Sequence, residues 1–289
     1  MTKQRPDAVI HEDFLAWIPW DTTRTIPFRI EGSKGGAWVK VLAREPETGA
    51  ASLLYRFDPG WSAESIVVGA PENLLVLDGD ITVGEHELKT MTYAYRPTGY
   101  TKGPCSSENG ATVISFGLRP HGELHSPNPV HALDTEAMPW ESFSNEFLKS
   151  GNARKFLRAD EENLDVYMLG KTAPRGVGVD PDWVYSRPTE NVAEHEAPEE
   201  GYLISGKSVM YDGIIDGLVQ LTGGTFVYRP SCSTHRTLGV FEEQVAFMHN
   251  FFGPGHQGQD AIRKAQYPIE SAAVRAVKEG RNPELPRRW

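Results

Sequence analysis

Two stretches of this chain hold residue types whose spacing could do metal chemistry. His195 and Glu199 are separated by three residues, and six more lead from Glu199 to Gly206. Further on, Gly224-Thr225-Phe226-Val227-Tyr228-Arg229-Pro230 runs on to Cys232 and His235. Each stretch joins a short apolar run to Gly or Pro, so the two histidines and the carboxylate fall at strand ends. Two imidazoles and one carboxylate are a ligand set for a first-row divalent metal that leaves positions open for substrate and dioxygen. Glu194, Glu196 and Glu200 are further carboxylates within reach. Strand alternation sends Glu199 and Glu200 to opposite faces, and the six-residue gap to Gly206 selects Glu199.

Other residues could act beside this set. His249 ends Val245-Ala246-Phe247-Met248-His249, where alternation places it inside a barrel as a fourth ligand or acid/base group, or in the core as a hydrogen-bonded histidine. Tyr228 and Tyr202 either line a cavity or pack as core aromatics. Arg175, Arg187 and Arg236 are near enough in sequence to clamp a substrate carboxylate. Cys232 is either a soft ligand or a small residue at a turn. His121 and His125 have i, i+4 spacing, but Gly122 and Pro127 disfavour a helix, so they are read as loop residues. The expected metal ligands are therefore His195, Glu199 and His235, and the expected catalytic residues His249, Tyr228 and Arg236.

These residues must be positioned by strands. In the first half Ala37–Ala43, Ala51–Phe57, Asn73–Leu77, Met91–Tyr95 and Thr112–Leu118 are rich in β-branched, leucine and aromatic residues. Asp58-Pro59-Gly60, Asp78-Gly79-Asp80 and Pro97-Thr98-Gly99 punctuate them as turns. In the second half Leu164–Leu169, Tyr202–Ile204, Thr225–Tyr228 and Gln244–Phe251 play the same parts. The halves echo one another: Asn73-Leu74-Leu75-Val76-Leu77-Asp78-Gly79 returns as Glu200-Gly201-Tyr202-Leu203-Ile204-Ser205-Gly206, and Ala94-Tyr95-Arg96-Pro97 as Val227-Tyr228-Arg229-Pro230. A growing offset between echoes implies one duplicated unit with loop insertions. The expected domains are 1–130 and 131–289, with Ser126-Pro127-Asn128-Pro129 between them. A long loop over 171–193 leads to His195 as a candidate lid, and 268–279 reads as a short C-terminal helix closed by Gly280.

Composition narrows the partners. A formal net charge of −10 opposes nucleic-acid binding, which needs a basic face. Only Cys105 and Cys232 are present, which suits a reducing compartment without disulfides. No apolar run is long enough to cross a membrane as a helix. The expectation is a soluble, cytoplasmic protein, possible as a homodimer, acting on a small molecule.

The spacing resembles the cupin signature. Its first half runs Gly, five residues, His-x-His, three or four residues, Glu, six residues, Gly; its second runs Gly, five residues, Pro-x-Gly, two residues, His, three residues, Asn. His195, Glu199 and Gly206 match the first half, and Gly224, Pro230 and His235 the second; Ala193, Cys232 and Gly239 depart from it. The resemblance is to a bicupin of the ChrR-like and small dioxygenase type. It implies an all-β fold of two antiparallel jelly-roll barrels and one divalent metal held by His195, Glu199 and His235, Fe(II) foremost, with Mn, Zn or Ni as alternatives. It further implies a dioxygenase cleaving a C–C bond in a small enolisable or aromatic substrate. A non-catalytic sensor and a redox-neutral lyase or isomerase are the alternatives. Aligned on the turn glycine, the first half holds Glu72 at the position of Glu199, Ile66 and Val68 at the histidine positions and Lys102 at that of His235. That half is expected to be a metal-free barrel with a Glu72–Lys102 ion pair.

Overall fold

The computed structural model describes residues 25–44, 51–67, 71–97, 101–117, 131–142, 151–159, 165–174, 193–195, 199–212, 217–229 and 233–251. Among them there is no helix, and the expected C-terminal helix lies outside this set. The described residues fall into two compact units, the first ending at Met138 and the second beginning at Pro139. The first contains β1 (Ile26–Pro27), β2 (Ala37–Arg44), β3 (Ala51–Phe57), β4 (Trp61–Ala63), β5 (Ile66–Val67), β6 (Glu72–Val83), β7 (His86–Lys89), β8 (Thr92–Arg96), β9 (Thr101–Lys102), β10 (Cys105–Ser107), β11 (Ala111–Gly117) and β12 (His131–Asp134). The second contains β13 (Glu141–Ser142), β14 (Asn152–Ala159), β15 (Asp165–Thr172), β16 (Ala193–His195), β17 (Glu199–Asp212), β18 (Gly217–Thr222), β19 (Phe226–Arg229) and β20 (Ser233–Phe251).

In the second unit the sheet runs β13-β14-β15-β20-β17-β18, with β16 on β20 and β19 on β17. The first repeats the central order β2-β3-β11-β6, with β8 on β6. Among the described residues the strand pairings are antiparallel, as a jelly roll requires.

Two strands run on where the sequence predicts turns or strand ends. Asp78-Gly79-Asp80 is a bend inside β6 rather than a turn, and the run expected to stop at Ile204 continues to Asp212. Gly79 and Gly206 both have positive φ, +76° and +96°. A Cβ at Gly206 would collide with the Glu243 carbonyl oxygen and lie 2.7 Å from Gln244 Cα; one at Gly79 would collide with the Gly110 carbonyl. Glycine is required there because two backbones cross at a corner. The register between β17 and β20 shifts repeatedly from Leu203 to Met210, so pairing continues round the corner. The first half of β20 therefore pairs with β16 and the end of β17, and its second half with β15 and the start of β17.

Alternation decides which side chains face inward. In the first unit Phe57, Trp61, Leu74, Val76, Ala94 and Val113 form one buried cluster, with Phe28 and Tyr55 packed against it. Register extends the sequence echo. Asn73 lies opposite Tyr95 and Phe116, as Glu200 lies opposite Tyr228 and His249. Lys40 lies opposite Leu54, as Lys155 lies opposite Leu169, and both lysines are buried. The bulge in β2 at Leu42 has its counterpart in β14 at Leu157.

Candidate functional site

The strand ladder pairs the segment that carries His195 with the one that carries His235, while Glu199 opens β17. His195 lies opposite Ser233, and Ala193 opposite His235. The two histidines are thus diagonal in one strand pair, an offset of two that keeps positions on the same side of a ladder. His235 also lies opposite Asp212, six residues beyond Gly206, while Glu199 lies seven residues before it. Ile66 lies opposite Lys102 in the first unit, the same register as Ala193 opposite His235. The side chains of His195, His235 and Arg236 lie outside the described set, and so does all of Cys232, Glu196, Arg175, Arg187, His121 and His125. Among the described side chains no three His, Cys, Asp or Glu converge as a metal-holding group.

Glu199 and Glu200 divide between the two faces of β17, and both are buried. Glu199 occupies the register position of Glu72, so it belongs to the interior face that carries Leu74 and Val76 in the first unit. It acts on Arg154, a buried residue of β14 whose Nη1 donates to the Ala153 carbonyl at 3.0 Å. Burial pulls this guanidinium down to about 10, and the negative charge of Glu199 opposes the shift. Arg154 is therefore cationic at neutral pH. Arg229 lies opposite Glu199, as Arg96 lies opposite Glu72.

Glu200 belongs to the other face. His249 Nδ1 donates to Glu200 Oε1 at 2.8 Å, and both side chains are wholly buried. The ring stacks on Tyr167 at 4.3 Å with 6° between planes, and Arg158 Cζ stands 5.9 Å from the Tyr167 centroid. Arg158, Tyr167, His249, Glu200 and Tyr228 form one row across five strands. His249 and Tyr228 thus share a face with Glu200 and not with Glu199. The row joins strands distant in sequence, so local patterning alone could not reveal it. Tyr202 lies on this face too, its phenol pushed up by burial.

In the first unit Glu72 pairs with Arg96 at 3.3 Å, and the side chain of the expected partner Lys102 lies outside the described set. Tyr55 completes the group: burial pushes its phenol well above the usual range, Glu72 adds to the shift and Arg96 opposes it. The sequence places these three residues on different strands, and only the ladder brings them together.

Neither a family model nor a curated protein matches the sequence. Solved structures do. A candidate dioxygenase from Nostoc punctiforme aligns over 79% of each chain with a TM-score of 0.62 at 19% identity. A candidate glyoxylate-induced protein from Pseudomonas aeruginosa covers 85% of this chain and 93% of its own, with a TM-score of 0.57 at 11% identity. A cupin 2 conserved barrel domain protein from Leptotrichia buccalis covers 82% of this chain and all of its own, with a TM-score of 0.51 at 9% identity. The chain has the cupin fold. At such identities the likeness establishes architecture, and the chemistry has to be argued from the residues. Among the described residues no helix is long and apolar enough to cross a membrane.

Proposed function

We propose that the chain is a bicupin enzyme whose second unit is a metal-dependent dioxygenase centre, with His195, Glu199 and His235 holding Fe(II). Mn, Zn and Ni suit the same donors. What supports this reading is the register that sets His195 and His235 diagonally, two positions apart, on one strand pair. The buried interior position of Glu199 fits a carboxylate that serves a cation. When bound, the metal supplies a Lewis acid that orients substrate oxygens and brings them together with dioxygen. Around it the protein excludes water and holds a small enolisable or aromatic molecule for C–C cleavage. The dioxygenase assignment of the Nostoc protein supports the oxidative reading. His249, held by Glu200 on the opposite face, steadies the strand that carries Glu199. The first unit, with Ile66 and Lys102 at the opposed positions, is the structural half, and the protein works in the cytoplasm on a small-molecule substrate.

Elemental analysis tests the site. The parent should carry up to one metal per chain, and His195→Ala and His235→Ala should each lose most of it. Unchanged metal in both variants would overturn the assignment. A strict requirement for oxygen in turnover separates a dioxygenase from a lyase or isomerase.

A further inference from the structure

Asn109-Gly110 is the only Asn-Gly pair in the sequence. It lies between β10 and β11, beside the bend at Gly79. Asn109 is exposed, and Gly110 is buried with φ +90°. The turn holds Asp80 at three points. Asp80 N donates to the Gly110 carbonyl at 3.2 Å, Ser107 Oγ donates to the Asp80 carbonyl at 2.7 Å, and Asn109 Nδ2 donates to Asp80 Oδ1 at 2.9 Å. Gly60 N donates to the Ser107 and Glu108 carbonyls at 2.9 and 3.1 Å. A Cβ at Gly110 would lie 3.1 Å from the Phe57 carbonyl oxygen, and one at Gly79 would collide with the Gly110 carbonyl, so the backbone here has little room to shift.

We propose that Asn109 is a spontaneous modification site: it deamidates in the folded protein, and the carboxylate that results, set against Asp80, loosens this turn of the first unit. Asparagine is a thermolabile residue, and Gly110 carries no side chain to hinder its backbone nitrogen. That nitrogen attacks Asn109 Cγ. The new C–N bond forms as the Cγ–Nδ2 bond breaks, the nitrogen's proton passes to a base, and the leaving group takes a proton from water to depart as ammonia. Water then opens the five-membered imide at one carbonyl or the other, leaving aspartate or isoaspartate at 109. The amide's bond to Asp80 is exposed and competes with water, so it shields Cγ little. Aspartate at 109 replaces a donor to Asp80 by a second acceptor at hydrogen-bond distance, which turns attraction into like-charge repulsion. Isoaspartate also lengthens the backbone by one carbon, in a turn whose Gly110 carbonyl is already fixed by Asp80 N.

The test ages the full chain in warm, mildly alkaline buffer and maps its peptides by mass spectrometry, with isoaspartyl methyltransferase labelling to count isoaspartate. Position 109 should convert ahead of the other asparagines, with ammonia released in step, and Asn109→Ser should take almost no label. An amide still intact at 109 after ageing that converts the same position in the urea-unfolded chain would overturn the proposal. The consequence is tested apart from the rate. Asn109→Asp should unfold at lower urea than the parent, by a gap that narrows in high salt. Adding Asp80→Asn again sets an amide against a carboxylate and should return the midpoint most of the way to the parent's. An Asn109→Asp midpoint equal to the parent's, or a double variant no more stable than the single one, would also overturn it.

Discussion

The Glu200–His249 pair can be tested against a control contained in the same chain. The equivalent positions of the first unit hold Asn73 and Phe116, so this fold tolerates an uncharged pair in that row. His249→Phe keeps an aromatic ring against Tyr167 but removes the 2.8 Å hydrogen bond to a wholly buried carboxylate. A hydrogen bond to a charged group is worth about 1.5–3 kcal/mol, and breaking a buried charged pair from one side costs about 3–5 kcal/mol. The single variant should therefore lose roughly 3 kcal/mol. Adding Glu200→Asn removes the stranded charge, and the double variant should recover about 2 kcal/mol of that loss. In the first unit Tyr93 Oη donates to Asn73 Oδ1 at 2.7 Å, and the position of Tyr93 corresponds to Phe226. Phe226→Tyr should therefore improve the double variant further and do little for the parent. Urea unfolding at pH 7 measures all of these, and the extra bulk of Phe at 249 cancels in the mutant cycle. If His249→Phe costs under about 1 kcal/mol, or the two single effects simply add, the pair is not held by its charge and the reasoning fails.

Other outcomes follow from the same geometry. The Tyr55 phenol is raised in the folded state, so its contribution is fully present below the unfolded value near 10 and is lost as pH rises above it; Tyr55→Phe should lose stability less steeply there, by up to about 1.4 kcal/mol per pH unit. Alkaline urea melts of the two proteins compare the slopes, and parallel slopes would refute the assignment. Gly206→Ala meets both a positive φ and the Glu243 carbonyl, and should cost more than about 2 kcal/mol in the same melts. Ala193→His, opposite His235, should tighten metal binding in a competition titration with a chelator; unchanged affinity would mean that position 193 does not face the metal.

The sequence by itself determined the class of fold and its repetition. Alternating runs such as Ala51–Phe57 need only local sterics and one buried face to become strands, and the Gly79 and Gly206 echoes mark the corners where a side chain cannot fit. It also separated Glu199 from Glu200, since adjacent residues on a strand always part. What lay out of reach were neighbours across strands. That Glu72 meets Arg96, that His249 meets Glu200, and that Arg154 fills the space beside Gly170 follow from lateral register between segments distant in the chain. Local composition carries almost no information about that register, because a shift of two residues leaves every face unchanged and every partner different. Only closure of the whole sheet, with its bulges and bends, selects one register, and that choice decided which charges share the interior.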